Sequence, residues 1–151
     1  MLRPLEVPIE AINVLRETPL FRDFSLGELH LCYAIGVEQG LPPGRLLGLG
    51  GELLESMWVL LEGRLEIHSP LAGGRISYAS GPFVWGVSAL VAPGRPHATA
   101  VTASECRLLE IPAEGLRRLC DDNPRFGRRM FEAVAVHVLG RLNTFIEEAR
   151  P

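Results

Sequence analysis

The stretch that decides the fold is Met57-Trp58-Val59-Leu60-Leu61-Glu62-Gly63-Arg64-Leu65-Glu66-Ile67. Its first half, Met57 to Leu61, is apolar on both faces, which is typical of a strand in the middle of a sheet. After Gly63, the apolar residues Leu65 and Ile67 alternate with polar ones, as in a half-buried strand. The stretch therefore predicts two short strands joined at a glycine turn.

The same pattern of short apolar runs separated by turn residues continues on both sides of this stretch. Short apolar runs alternate with glycine and proline signals such as Pro42-Pro43-Gly44 and Gly81-Pro82. The strand pattern resumes, after an interruption, in Ala98–Ala103 and again in Cys106–Ile111. Strands of about five residues with turns every 8 to 12 residues predict an antiparallel sandwich or roll, here over about 37–111.

Helices flank the predicted roll. Ile9, Ile12 and Leu15 recur at helical spacing after a proline suited to a first turn, and Ser25 stands three residues before Glu28 as in a capping box. These signals predict N-terminal helices over about 8–36. Proline-led segments after the last strand predict C-terminal helices over about 113–149. We expect one domain across 1–151, mainly β with flanking helices.

The last helix carries an apolar row with alternating steps of four and three residues, which is heptad-type spacing over two heptads. This row predicts a homodimer through the C-terminal helix. A second apolar row, formed by Met130, Val134, Val136 and Leu139, widens the apolar stripe, so that one face can pack on the roll while another meets a partner. The residues of the first row are Phe131, Ala135, Val138, Leu142 and Phe145.

Composition excludes several classes of protein. The net charge of -3 and the pI near 5.8 argue against general attraction to nucleic acid, and the arginine runs 117–118 and 125–129 are expected on solvated helix faces. Three widely spaced cysteines form neither a disulfide framework nor a zinc motif. No segment has the pattern of a membrane span or a secretory signal, so we expect a cytoplasmic protein.

The order of these elements resembles the cyclic nucleotide-binding domain family, over about Leu15 to Leu142. Pro19-Leu20-Phe21 resembles the family's opening motif, and Pro43-Gly44-Arg45-Leu46-Leu47 resembles its first roll turn and strand. Gly51-Glu52 and the stretch 57–67 resemble the following motifs. The resemblance implies a double-stranded β-helix, or jelly roll, with a long C-terminal helix, and a regulatory module that senses a ligand.

The resemblance also implies a phosphate-binding cassette. In the family, a short helix contacts the cyclic phosphate through a glycine and backbone amides, a glutamate accepts from the ribose, and a later arginine pairs with the phosphate. Here Val87 stands at the glutamate position, in a short helix expected over about 86–90, and His97 stands at the arginine position. The candidate ligand-binding positions are Gly86, Val87, Ser88, Ala89, Leu90, Arg95, His97 and Ala98.

Both replacements weaken a nucleotide site. Histidine cannot reproduce the bidentate contact of a guanidinium, a loss of about 2–5 kcal/mol. Valine in place of glutamate leaves a ribose hydroxyl unpaired, which costs roughly 1–3 kcal/mol. Together these terms lower the affinity by roughly two to five orders of magnitude. We therefore expect weak or no binding of cyclic nucleotide, and no other cofactor.

Alternatives stay open at this point. In one alternative, Arg95 and the backbone amides replace the missing contacts, and the chain is a genuine sensor of cyclic nucleotide or of another anion. In another, protonated His97 binds an anion at acidic pH. Trp85 either stacks on a base or fills the cavity, and filling is the preferred interpretation; Trp58 is expected in the core.

Other functions find less support in the sequence. A cupin enzyme needs closely spaced metal-binding histidines, whereas the four here form no His-x-His pair, so no enzyme and no metal site are expected. In catabolite activators a DNA-binding domain follows the long helix, whereas this chain ends at Pro151, so the polypeptide alone is not expected to bind an operator. No membrane partner is expected, because no segment has the pattern of a membrane span. A partner protein, or a longer parent protein, remains possible.

Overall fold

The computed structural model describes residues 9–70, 74–91 and 94–150, apart from the side chain of Phe145. Four α-helices are present in these ranges: α1 (Ile9–Glu17), α2 (Leu26–Ile35), α3 (Ala113–Asp122) and α4 (Pro124–Glu148). The strands are β1 (Val37–Leu41), β2 (Leu46–Gly48), β3 (Ser56–Glu62), β4 (Arg64–Ser69), β5 (Arg75–Ser80), β6 (Phe83–Trp85), β7 (Thr99–Thr102) and β8 (Cys106–Pro112).

The strands form two antiparallel four-stranded sheets that pack face to face. The first sheet has the order β1-β8-β3-β6 and the second has the order β2-β7-β4-β5. A buried apolar layer between them, which we call the roll interior, takes side chains from both sheets, including Trp58, Leu65 and Ala100. The fold is mainly β with flanking helices and a long C-terminal helix, as the sequence predicts.

Strand β3 lies between β8 and β6 and is buried on both faces, as its apolar run predicts. Trp58 and Leu60 point into the roll interior. Met57, Val59 and Leu61 point the other way, into a second core shared with the helices. Because neighbouring residues of a strand face opposite sides, this one strand contributes to both cores.

The helix-side core is fixed by local signals that the sequence already contains. Helix α2 begins with the predicted capping box, in which the Ser25 side chain accepts from the Glu28 amide and Glu28 accepts from the Ser25 amide. The segment Pro19–Phe21 forms a 3₁₀ helix. Phe24 makes edge-to-face contacts with both Phe21 and Phe126, which joins this 3₁₀ helix to α4.

One side of the first half of helix α4 packs on the roll, and much of the remaining surface of the helix is exposed to solvent. Met130 and Val134 of the second apolar row are buried in the helix-side core, whereas Val136 (66%) and Leu139 (58%) of the same row are exposed, so the row does not form one packed face. Members of the first row are exposed, including Phe131 (45%), Val138 (49%) and Leu142 (49%). This row stays a predicted dimer face, and the side chain of Phe145 lies outside the described residues.

The structure adds two details to the sequence expectations. Strand β6 was not predicted, because its three residues are too short to show a strand pattern. The short helix expected over about 86–90 is a single 3₁₀ helix over Val87–Leu90. A 3₁₀ helix of this length has few aligned peptides, so its N-terminal dipole is weaker than that of an α-helix.

Candidate functional site

The cassette begins where β6 turns sharply into the 3₁₀ helix Val87–Leu90, which we call the cassette helix. Gly86 makes this turn in the left-handed region, with φ of 91° and ψ of 29°. A Cβ atom added there would lie 2.7 Å from Cδ2 of Leu54. Both the backbone conformation and the close approach therefore require glycine, which agrees with its place in the cassette motif.

The cassette helix divides its side chains between the two cores. Ala89 is fully buried and packs in the roll interior. Leu90 and the half-buried Val87 pack with the helix-side core instead. Ser88 is half-buried, and its carbonyl accepts from the Val91 amide at 3.1 Å. The residue at the glutamate position thus contributes to apolar packing and offers no polar atom of its side chain.

Helix α3 holds the cassette helix through one arginine. Nη2 of Arg117 donates to the Ala89 carbonyl at 2.7 Å, and its Nε donates to the Leu90 carbonyl at 3.4 Å. Sequence reasoning assigned the 117–118 arginine pair to a solvated face and missed this contact. No local signal reveals it, because the two partners lie 27 and 28 residues away.

Trp85 fills space in the roll interior beside the cassette. It is 6% exposed and pairs across the sheet with Trp58, which is 8% exposed. Its ring lies so close to β2 that a Cβ atom added to Gly48 would be 2.8 Å from Cη2 of the indole. The two tryptophans pack with Leu54 and Ala89, so the preferred interpretation of both tryptophans is confirmed.

Arg95 and His97 lie on an outer cleft, away from the roll interior. Both side chains are exposed, and Nη1 of Arg95 donates to the Gly51 carbonyl at 2.7 Å. The cleft has a volume of about 840 Å³ and is also lined by His68 and Thr99. The structure brings Arg95 and His97 together there and separates them from Val87 and Ala89. Ala98, the last candidate, is half-buried against the roll interior.

Metal and membrane sites find no support in the described part of the chain. No group of three His, Cys, Asp or Glu side chains there is arranged to hold a metal ion. Within the same ranges, every helix is too short or too polar to cross a bilayer.

Comparison with known proteins gives one family. The sequence model of the cyclic nucleotide-binding domain matches residues 38–123, more than half of the chain. A comparison with curated protein sequences finds no match. The matched region spans both sheets, the cassette and α3.

Solved structures share the fold at low sequence identity. The catabolite activator protein of Thermus thermophilus is 20% identical, with a TM-score of 0.72 over 86% of this chain and 61% of that one. The N-terminal domain of a transcriptional regulator from Streptomyces coelicolor is 24% identical, with a TM-score of 0.71 over 85% and 94%. The regulatory domain of Toxoplasma gondii protein kinase A, solved with cyclic AMP, is 20% identical, with a TM-score of 0.65 over 72% and 42%.

The present chain thus spans about three fifths of the length of the Thermus protein. Because these identities lie below 25%, the structural similarity establishes only a shared fold. The match to the sequence model of the family establishes the family. With its two-sheet roll, cassette turn at Gly86 and long α4, the chain belongs to the cyclic nucleotide-binding domain family.

Proposed function

We propose that this chain is a non-enzymatic regulatory module that binds cyclic nucleotides weakly or not at all, and that it acts as a homodimer in the cytoplasm. Its three described cysteines, Cys32, Cys106 and Cys120, are buried free thiols, which fits a reducing compartment. The exposed apolar row of α4 supports the dimer, because such a row gains stability when a second helix covers it.

The observation that carries the weak-binding proposal is the packing of Trp85. Its indole lies between Gly48 and the other side chains of the roll interior, in the space enclosed by the two sheets. A nucleotide that occupied this space would have to displace the ring. Fully burying an aromatic side chain contributes about 1.5–3 kcal/mol, so displacement opposes binding.

The positions of the two replaced anchors support the same proposal. Val87 is turned toward the helix-side core, and His97 is exposed on the outer cleft. No guanidinium of the described residues packs in the roll interior, because Arg95 is exposed and bonded to the Gly51 carbonyl. A phosphate bound inside would lack its bidentate cation.

Calorimetric titration with cyclic AMP and cyclic GMP tests the proposal. We expect no saturable heat up to about 1 mM nucleotide for the wild type. The V87E/H97R variant restores the two family side chains while leaving Trp85 in place, and we expect it to remain weak. A wild-type Kd below about 10 μM would overturn the proposal.

The outer cleft supports a second candidate function, a sensor of a small anion. Arg95, His97 and His68 line this cleft, and the exposed guanidinium of Arg95 supplies a positive charge there. An Arg95→Gln variant distinguishes the two candidates in the same titrations. Loss of binding in this variant alone would assign the anion to the outer cleft, whereas unchanged weak binding favours the first candidate.

A further inference from the structure

A long basic groove runs along α4. It is enclosed by α4, by the segment 19–24 and by the hairpin of β4 and β5, and its volume is about 1310 Å³. Six arginines line the groove together with three carboxylates, although the whole chain carries a net charge of -3. The arginines are Arg22, Arg75, Arg125, Arg128, Arg129 and Arg141, and the carboxylates are Asp23, Glu132 and Glu148.

Among the described residues, one of these arginines, Arg129, has hydrogen-bonding or ionic partners within the protein. Nε of Arg129 lies 3.1 Å from Oε1 of Glu28, and its Nη1 donates to the Asp23 carbonyl. Within the described ranges, the other five have no carboxylate within 4.0 Å. Burial and the neighbouring Arg141 lower the pKa of His137, which also lines the groove, so this histidine is neutral near pH 7. The positive charge of the groove therefore comes from exposed guanidinium groups.

The spacing of the arginines indicates an extended occupant. Arg125 and Arg141 are sixteen residues apart on one helix, which is about 24 Å along its axis at 1.5 Å per residue; at 100° per residue they project about 160° apart, so an occupant that reaches both must cross the helix obliquely. About seven residues of extended peptide span that distance at 3.3 Å per residue. The groove volume also exceeds the range of about 300–1,000 Å³ that is usual for small-molecule sites. A single small anion would reach only one end.

The walls of the groove favour a peptide over a nucleic acid. Ala133 and Val136 present apolar surface between the two basic ends, and Val136 is 66% exposed. Single-stranded nucleic acid is usually held by exposed aromatic rings on which bases stack. Phe24 is the one aromatic ring of Phe, Tyr or Trp among the described lining residues, and it is buried against Phe21 and Phe126.

We propose that this groove binds an acidic segment of a partner protein, with carboxylates near both of its ends and apolar side chains between them. The carboxylates would pair with Arg22 and Arg125 at one end and with Arg141 and Arg75 at the other. The middle of the segment would cover Val136. The proposal does not depend on whether the roll binds a nucleotide, because no candidate cassette position lines the groove.

Fluorescence anisotropy with a labelled synthetic dodecapeptide tests the proposal on the full chain. The probe carries three glutamates at each end and alanine and leucine in the middle, and a glutamine version serves as the uncharged control. We expect saturable binding of the acidic probe in about 50 mM NaCl, weakened in about 300 mM NaCl. The glutamine probe should bind at least tenfold more weakly.

Charge reversal at each end locates the site. We expect R22E/R125E and R75E/R141E each to weaken binding about tenfold, because several exposed ion pairs are lost and replaced by repulsion. The matched control R16E/R45E makes the same change of charge at two exposed arginines outside the groove and should change the Kd less than twofold. Circular dichroism confirms that all three variants stay folded.

Four results would overturn the proposal. The first is no binding of the acidic probe by the wild type. The second is a loss confined to one pair of arginines, which would indicate a small-anion site. The third is that a single-stranded dodecanucleotide binds the wild type more tightly than the acidic probe does, and that the groove variants abolish this binding. The fourth is a change of sedimentation in the groove variants alone, which would make the groove a contact between copies of this chain.

Discussion

Single backbone positions decide whether the cassette turn forms. Gly86 has a positive φ, and a Cβ atom added there would meet Leu54, which is 7% exposed and packed in the roll interior. Gly44 has nearly the same φ, 86°, yet a Cβ atom added there would meet no atom within 4 Å. The two glycines therefore separate the cost of backbone conformation from the cost of crowding.

Substitution of each glycine by alanine measures these two costs. We expect Gly44→Ala to lower the free energy of unfolding by about 1–2 kcal/mol, from the left-handed backbone alone. Gly86→Ala should cost about 1–3 kcal/mol more, because Leu54 must move within a packed core. Urea unfolding of both variants checks the difference. Equal losses would contradict the crowding at Leu54.

Most residues of the candidate site can be identified from the sequence, but the directions of their side chains cannot. The motif around Gly86 identified the turn, and Val87 and His97 were recognised as replacements. That Val87 packs toward the helices while His97 lies outside follows from how two sheets meet, which no local pattern encodes. Arg95 was left open for the same reason, since its contact with Gly51 joins residues 44 positions apart.

Among the elements, α3 occupies a connecting position between the cassette and α4. Its Arg117 binds two carbonyls of the cassette helix, while Leu116 packs in the same core as Met130 of α4. A displacement of the cassette helix would therefore change the hydrogen bonds that Arg117 of α3 makes with it. The neighbouring Arg118 makes only an exposed ion pair with Glu114 at 3.0 Å.

Removing the Arg117 side chain should loosen the cassette helix. We expect Arg117→Ala to increase hydrogen exchange of the Ala89 and Val91 amides about tenfold, and to lower the free energy of unfolding by about 1 kcal/mol. Arg118→Ala is the matched control, and loss of its exposed pair should change stability by no more than about 0.5 kcal/mol. Equal exchange in both variants would show that Arg117 does not hold this helix.

Elements with strong local patterns were predictable from the sequence, and short or composite ones were not. Strands β3 and β4 and the capping box of α2 follow from alternation and from one Ser–Glu spacing. Strand β6 has three residues and depends on pairing with β3. The basic groove combines segment 19–24, a hairpin and α4, so only the assembled structure brings its arginines together.

For the whole molecule, α4 presents two surfaces with different chemistry. The exposed apolar row through Leu142 forms one surface, and the basic groove containing Val136 forms the other. At about 100° per residue, these two side chains project about 120° apart around the helix.

A pair of glutamate substitutions tests this division. We expect Leu142→Glu to convert the dimer to a monomer, because it places a charge within an apolar helix pair. Val136→Glu introduces the same charge at an even more exposed apolar residue of α4 and should leave the dimer intact. Sedimentation equilibrium measures both. A wild type that stays monomeric at about 100 μM would refute the predicted dimer face.

The indole that occupies the roll beside Gly48 has a consequence for the stability of the protein. A module that needs a diffusible ligand to complete its core gains stability by mass action, and loses it when that ligand is scarce. Here the chain supplies its own aromatic group. If the roll binds cyclic nucleotides weakly or not at all, as we propose, the stability and protease resistance of this chain should therefore not vary with the supply of these second messengers.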